Sequence, residues 1–470
     1  MVTDELKEAL KESLNSDQLS AFEELVDFVN SSYADIDQPD AIVLKGYAGT
    51  GKTYLVNKVI QYINRRYTAR KVAATAPTNK AVKVLSETCS KETKATYITV
   101  HKLLGLKEDI DVNGRQKFIA SNEENMISEF KYLIVDEVSM LNDDLCIELL
   151  KYKDKLKIVF MGDPAQIPPV NKEECLPFTV DQGGYNFKVL ELKEIMRQKN
   201  GNPIIKASFT IRDNLDMAQP ITNLRTMVNS NDHGIIWFNS QNQRQLVKDC
   251  VKEFFKSSYY EQDPDYIKVI AWRNKTVDYM NKLVREALYG SDVKRFEPGE
   301  NLIANGPIFA RSYDPWNNGY KYRVNYNTSD EFKISAVRIV QLQFEEKYKD
   351  APLISWSGTF WELELEDKFD CLYVVHEDSQ ESYKELLSQA RSQALKQKKK
   401  SYWVNYFNIM KWSANLAYNY AITAHKSQGS TYSNVILLEE DLDFNRKVVE
   451  RNRIKYTAYT RAKHRLFILR

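Results

Sequence analysis

Long apolar runs are missing from this chain of 470 residues: no stretch approaches eighteen uncharged apolar residues, which excludes an ordinary membrane-spanning helix. The opening MVTDELKEALKES is charged and lacks the apolar centre of a signal peptide, so the expectation is a soluble, cytoplasmic protein. Cysteine is scarce. The five present (Cys89, Cys146, Cys175, Cys250, Cys371) are odd in number and form no C-x-x-C pair. That pattern speaks against a zinc site or a disulfide framework and for reduced, buried thiols. Glycine and proline number only 16 and 13, so the chain is neither low-complexity nor disordered. No repeat recurs at a spacing of 20–50 residues, which removes solenoids and propellers. A net charge of +2 neither invites nor excludes nucleic acid, because a local basic stripe matters more than the total.

Local charge is less even. From Asp441 to Arg470 nine Lys/Arg face three Asp/Glu, and Arg391–Lys400 carries five basic residues without an acid, a pattern that a solvated helix face also produces. Aromatic residues make up 12%, and Trp316, Trp356, Trp361, Trp403 and Trp412 all fall in the last third. Most belong in the core, with some available as stacking platforms for bases.

Length predicts about three domains. Short β-branched runs end where a Gly, Asp, Thr or Pro loop begins: AIVLK before Gly46, KVAAT before Ala76, YLIV before Asp136 and KIVFM before Gly162. This is the grammar of parallel strands in an α/β sheet, whose functional loops sit at the carboxyl ends of the strands. IKVIA at 267–271, NVILL at 434–438 and RLFIL at 465–469 form a second such set. Between, KISAVRIVQLQF, TFWELELED and CLYVV alternate with period two, the mark of an antiparallel β module. The expected organisation is one α/β domain over 1–198, a second over 199–295 plus 412–470, and an inserted β-rich domain, barrel-like and small, over 296–411. Within the first domain, about 106–126, Asn113-Gly114 stands between alternating segments and predicts a protruding hairpin with a two-residue turn, where an ordinary surface loop is the competing reading.

Gly46-Tyr47-Ala48-Gly49-Thr50-Gly51-Lys52-Thr53 matches G-x-x-x-x-G-K-[ST] after a predicted strand and before a helical stretch. The glycines let backbone N–H groups close around phosphates, Lys52 reaches the β- and γ-phosphates, and the Thr53 hydroxyl is placed for Mg²⁺. Gly46, Ala48, Gly49, Thr50, Gly51, Lys52 and Thr53 are therefore the expected ATP cradle. Asp136-Glu137 follows a buried strand, which puts Asp136 in position to hold Mg²⁺ and Glu137 to orient and deprotonate a water. Hydrolysis rather than phosphotransfer is the implied reaction. Upstream, Gln18 in Asn15-Ser16-Asp17-Gln18 carries an amide able to read the adenine edge, though a simple helix cap accounts for the same residues.

The series SDQLSAF, GYAGTGKT, APTNKA, TVHKLLG, VDEVSM, GDPAQIPPV, LKEIMRQ, TAHKSQGST and YTAYTRAKHRL resembles, in order and over nearly the whole chain, the motifs of superfamily 1 helicases. Within them it is most similar to the RecD-type branch and its T-even phage members, which would make the compartment a host cytoplasm. The resemblance implies two RecA-like domains, DNA-stimulated ATP hydrolysis and 5′ to 3′ movement of a monomer on single-stranded DNA. It further implies separation of duplex DNA at a fork, with replication or recombination proteins as partners. It makes Gln166 the sensor of the γ-phosphate, and Arg197 and Arg461 two arginine fingers, one from each α/β domain. Transition-state charge on the γ-phosphoryl needs fixed cations, and guanidinium donates to it bidentately. Pro77, Thr78, Asn79, Lys80, His101 and His425 fall in segments that resemble DNA-binding motifs. The hairpin would be the strand-separating pin with Phe118 at or near its tip; a core position for that ring is the equal alternative.

Three other readings stay open on sequence alone. They are a P-loop NTPase that handles no nucleic acid, a single-strand binder that uses ATP only as a switch, and a helicase that acts on RNA.

Overall fold

The computed structural model describes residues 8–33, 35, 37–67, 71–89, 93–113, 116–120, 125–169, 172–179, 182–194, 201–221, 225–238, 245, 249–315, 319–366, 368 and 370–470. Its first sheet is laid down as β1 (Ala41–Gly46), β2 (Val72–Ala76) and β3 (Thr96–Thr99). A hairpin, β4 (Leu106–Ile110) and β5 (Gln116–Ala120), then leaves the sheet, and the chain returns with β6 (Tyr132–Val135), β7 (Lys157–Gly162) and β8 (Phe187–Leu192). The order is β3-β2-β6-β7-β1-β8, and every pairing is parallel. Parallel strands are covered on both faces, which is why AIVL and YLIV are buried without alternation. On one face Leu55, Val59 and Ile63 of the helix Lys52–Arg66 pack with Phe22 and Leu25 of the helix Ser16–Asn30.

The order matters for chemistry. β7 lies between β1 and β6, so three consecutive strands deliver the loops that begin at Gly46, Gly162 and Asp136 to one carboxyl edge. That edge is where α/β sheets bind ligands.

The second sheet joins β9 (Met227–Val228), β10 (Gly234–Phe238) and β11 (Ile267–Ala271) to strands from the end of the chain. These are β19 (Ala421–Thr423), β20 (Tyr432–Leu438) and β21 (Ala462–Leu469), in the order β19-β11-β20-β21-β10-β9. Only the edge pairing of β9 with β10 is antiparallel. Both α/β sheets fall in one compact unit, residues 1–105, 122–283 and 421–470.

The other unit combines 106–121 with 284–420. In it β12 (Asn301–Ala304), the two-stranded ribbon β13 (Ile308–Asp314) and β14 (Gly319–Tyr326), β15 (Glu331–Glu346), β16 (Ile354–Leu365), β17 (Cys371–Val375) and β18 (Leu416–Tyr418) build a β core. Five of these strands form an antiparallel sheet, β17-β16-β15-β12-β18. The alternation ends at Val375, and helices Glu377–Gln397 and Lys400–Met410 follow, elements that the period-two pattern did not announce. Tyr383, Ala390 and Ile409 of these helices pack with Phe360 and Val375.

The hairpin differs from its sequence reading. Ile110 pairs with Gln116, so the strands are joined by the five positions 111–115 rather than by two. Asp111 explains the difference: its Oδ1 accepts the Asn113 N–H at 2.8 Å, an Asx turn that starts the loop two residues before Asn113. Phe118 stands within β5, opposite Glu108, and its side chain lies outside the described residues. The apolar side chain described at the tip is Val112, 51% exposed, whose carbonyl accepts the Trp403 Nε1–H at 3.1 Å.

All five cysteines are free thiols, four of them buried and Cys371 half-buried. Among the described residues no helix is long and apolar enough to cross a membrane.

Candidate active site

The loop after β1 is held open by its own chemistry. Gly49 (φ 87°) and Gly51 (φ 80°) take the left-handed conformation that other residues resist, and Gly51 is the N-cap of the helix Lys52–Arg66. A Cβ on Gly46 would stand 2.7 Å from Thr50 Oγ1, so close approach demands glycine there too. Lys52 Nζ folds back to donate to the carbonyls of Gly46 (2.6 Å) and Tyr47 (3.2 Å). Thr53 follows in the first turn of the same helix. Ala48 N–H does not face open solvent: it donates to Asp163 Oδ2 at 3.0 Å and to the Tyr456 hydroxyl at 3.3 Å.

Asp136 follows β6 directly and Glu137 takes the left-handed region (φ 50°, ψ 41°), an arrangement costing of order 1–3 kcal/mol in a residue with a side chain. Its N–H donates to Asp136 Oδ1 at 2.7 Å. The strain turns the Glu137 backbone sharply out of the strand. Burial, reinforced by the Glu137 carboxylate, holds the Asp136 carboxyl above its ordinary range, while Lys52 acts in the opposite sense. A carboxylate kept uncomfortable by burial and a like charge suits a divalent cation. Asp136 and the Thr53 hydroxyl are hard oxygen donors of the kind Mg²⁺ takes when phosphates and waters complete its shell. No group of three or more such ligands occurs among the described residues, and a site shared with nucleotide phosphates does not require one.

Gln166 follows β7 in a turn closed by its own N–H on the Asp163 carbonyl (3.2 Å). It is 4% exposed, and its Oε1 is buried without a hydrogen-bond partner among the described residues. An orphaned buried oxygen at the nucleotide edge is costly in the protein alone, which marks it as a group arranged for something else.

Arg461 lies at the end of the helix Val448–Tyr459, 5% exposed. Nε donates to Thr457 O (3.0 Å), Nη1 to Ser430 O (2.9 Å) and Ser427 O (3.5 Å), and Nη2 to Thr460 Oγ1 (3.1 Å). These partners are carbonyls and a hydroxyl, so among the described residues its positive charge is oriented but not neutralised. Arg197 lies outside the described residues.

Gln18 departs from a free adenine reader. It is fully buried, its Nε2 donates to Thr50 O at 3.0 Å and its Oε1 accepts Asn15 N–H at 3.3 Å, closing a capping box. The amide braces the phosphate loop from behind. One donor and one acceptor of it stay uncommitted by these bonds.

The residues assigned to DNA are also engaged within the protein. Thr78 caps its helix through Ala81 N–H (3.2 Å), with Pro77 before it at the end of β2 and Asn79 as the first helical residue. Lys80 Nζ pairs with Asp265 Oδ1 at 3.1 Å and lies 5.1 Å from the centre of the Tyr432 ring. Burial lowers the pKa of both His101 and His425, favouring neutral imidazoles. His425 borders a cleft of about 1000 Å³ that is also lined by Ile167, Lys172, Glu450 and Arg453. Gly429, in the same segment as His425, has φ +70°, and a Cβ on it would come 2.9 Å from Ala81 Cβ, so the segment presses directly against the helix Asn79–Thr88.

Four site residues escaped the motif reading: Tyr47, Asp163, Arg212 and Tyr456. The Arg212 guanidinium lies 4.1 Å from the centre of the Tyr47 ring, and Tyr456 donates to Asp163 Oδ2 at 2.6 Å. Tyr47, Asp163 and Tyr456 sit inside recognised segments but are not of a type that announces phosphate chemistry, whereas Arg212, which is, lies in none of those segments.

Residues 33–172 match the family described as AAA domain, and residues 418–469 match the UvrD-like helicase C-terminal domain. The chain is 25% identical to an uncharacterized protein, R530, of Acanthamoeba polyphaga mimivirus, over 96% of this chain and 99% of that one. It is 23% identical to the ATP-dependent DNA helicase dda of Enterobacteria phage T4, over 91% of this chain and 93% of that one. To the RecBCD enzyme subunit RecD of Buchnera aphidicola it is likewise 23% identical, over 91% of this chain and 70% of that one.

Proposed function

We propose that this chain is an ATP-hydrolysing DNA helicase of superfamily 1. The observation that carries this reading is the meeting of two parallel sheets at one phosphate loop. Tyr456, on a helix of the second sheet's domain, touches the Ala48 N–H that follows β1 of the first. A nucleotide held there is contacted from both sides, so its hydrolysis changes how the two α/β domains pack, which is what a translocating motor needs.

In this reading the N–H groups of the loop and Lys52 bind the phosphates, and Thr53 with Asp136 would hold Mg²⁺, which would supply charge neutralisation. Glu137, placed by its left-handed backbone, orients the attacking water and takes its proton. Gln166 accepts from the same water with its unpaired oxygen while its amide N–H groups serve the γ-phosphate, and Arg461 brings charge from the second domain, with Arg197 as the second finger. The Gln18 amide serves adenine with the donor and acceptor it has left. Pro77, Thr78, Asn79, Lys80, His101 and His425 border the path of a single strand. For Lys80 this entails exchanging Asp265 for a phosphate, a carboxylate-to-phosphate swap that lysine makes readily.

The finer assignment is to the RecD-type branch, with 5′ to 3′ movement by a monomer. It rests on the motif series. Duplexes carrying one single-stranded tail test it: unwinding is expected with a 5′ tail, and a requirement for a 3′ tail overturns the assignment. The same assay run with DNA and RNA tails distinguishes the substrate class.

The hairpin β4–β5 is assigned as the pin. Stacking of one aromatic ring on an opened base pair offsets roughly 1–3 kcal/mol of the unstacking cost. With Phe118 as that ring, Phe118→Ala leaves the melting temperature, single-strand binding and DNA-stimulated ATPase near wild type while strand displacement falls several-fold. If ATPase and melting temperature drop together with unwinding, Phe118 is a packing residue and Val112 at the tip becomes the group that meets the fork.

A further inference from the structure

The helix Val448–Tyr459 is tied down along its length. Asn452 Nδ2 donates to Leu215 O (2.8 Å) and Met217 O (2.7 Å), Lys455 pairs with the buried Glu439 at 2.5 Å, and the Tyr459 hydroxyl donates to the same carboxylate at 3.1 Å. These bonds fasten it to its own domain. Tyr456 points elsewhere. Its fully buried hydroxyl donates to Asp163 Oδ2 at 2.6 Å and accepts from Ala48 N–H at 3.3 Å, while Ala48 N–H also reaches Asp163 at 3.0 Å.

Three groups from three elements thus close a triangle: the phosphate loop, the loop after β7 that carries Gln166, and the helix Val448–Tyr459, which leads into Arg461. Asp163 Oδ1 is taken by Ala165 N–H at 2.9 Å, so the carboxylate cannot turn without releasing the Gln166 loop. Burial and the adjacent Asp163 carboxylate push the Tyr456 phenol well above its ordinary range, so the hydroxyl stays protonated and stays a donor. Arg461, two residues past the end of the helix, bonds back to Thr457 O at 3.0 Å and inherits the position of the last turn.

We propose that Tyr456 is a positioning residue for ATP hydrolysis: by bridging Ala48 and Asp163, its hydroxyl fixes where the Arg461 guanidinium stands relative to the γ-phosphate. The inference deepens the helicase reading and rests on it. Tyr456 acts through Arg461 and touches no reacting atom.

A double-mutant cycle tests it by steady-state ATPase at saturating single-stranded DNA, using Tyr456→Phe, Arg461→Ala and the pair. Tyr456→Phe lowers kcat about tenfold, the size of one lost hydrogen bond to a charged group, and leaves the KM for ATP within about threefold of wild type. Because the hydroxyl works through Arg461, the pair is no slower than Arg461→Ala alone, whereas independent structural damage multiplies the two losses. A near-wild-type kcat in Tyr456→Phe overturns the inference, and so do multiplied losses. A wild-type rate in Arg461→Ala itself overturns the finger assignment, and this inference with it. Should Tyr456→Phe melt below the assay temperature, the cycle is run with Asp163→Asn, which keeps the side chain's shape and removes the charge that receives the hydroxyl, and the same two outcomes decide.

Discussion

Lys52→Ala is expected to reduce DNA-stimulated ATP turnover at least about a hundredfold, the cost of removing one preorganised charge from a phosphoryl transition state, while single-stranded DNA binding persists. The geometry explains why the loss falls on chemistry and not on folding. Among the described residues the ammonium donates to two carbonyls of its own loop, at 2.6 Å and 3.2 Å. A bond from a charged donor is worth about 1.5–3 kcal/mol net, offset by the cost of holding the ammonium partly out of water, and the loop keeps its left-handed glycines and the Gln18 brace without it. A melting curve should therefore fall only modestly. The groups assigned to DNA lie on other loops, so fluorescence anisotropy with a labelled oligonucleotide should report near-normal affinity. Turnover above about a tenth of wild type removes Lys52 from the phosphate assignment.

The nucleotide edge was legible in sequence because its physics is local. A phosphate loop needs glycines at fixed positions and a strand before them, and an Asp-Glu pair after YLIV needs only the strand to be buried; β1 and β6 supply both. What was hidden depended on neighbours distant in the chain. Tyr456 and Asp163 are 293 positions apart, and nothing in either segment states that a phenol will meet a carboxylate. Lys80 reads as a free cation until Asp265 is seen beside it. Gln18 reads as a base reader, and only the fold shows that Thr50 takes one of its two donors. The hairpin loop shows the reverse failure, of a local rule applied one motif too late: Asn113-Gly114 is a strong turn signal, but Asp111 captured the Asn113 N–H first. The helices after Val375 were masked by the strong alternation of β15 and β16 just before them.

Arg461→Ala carries the second large expectation, a fall in DNA-stimulated kcat of roughly 10³–10⁵-fold, the range for loss of an arginine finger. Four of the five guanidinium N–H groups are already held, on Thr457, Ser427, Ser430 and Thr460, which leaves one Nη2 donor and the whole positive charge available. Such a group is preorganised: it does not have to be gathered from solvent when charge develops on the γ-phosphoryl. The same bonds mean that alanine also strips donors from the carbonyls of Ser427 and Ser430, in the segment that holds His425 and Gly429. Some loosening of that segment is expected, readable as a lower melting temperature and weaker DNA binding. Arg461→Lys separates the two effects. It restores the charge as a single ammonium but cannot span Thr457, Ser430 and Thr460 at once, so it should recover only a small part of kcat even where DNA affinity returns. If Arg461→Lys turns over ATP like wild type, charge alone suffices and the fixed fork has no part in the chemistry. If Arg461→Ala keeps more than about a tenth of wild-type kcat, the residue is a brace of the 427–430 segment and the cation at the γ-phosphate must come from elsewhere, with Arg212 beside Tyr47 the next to test.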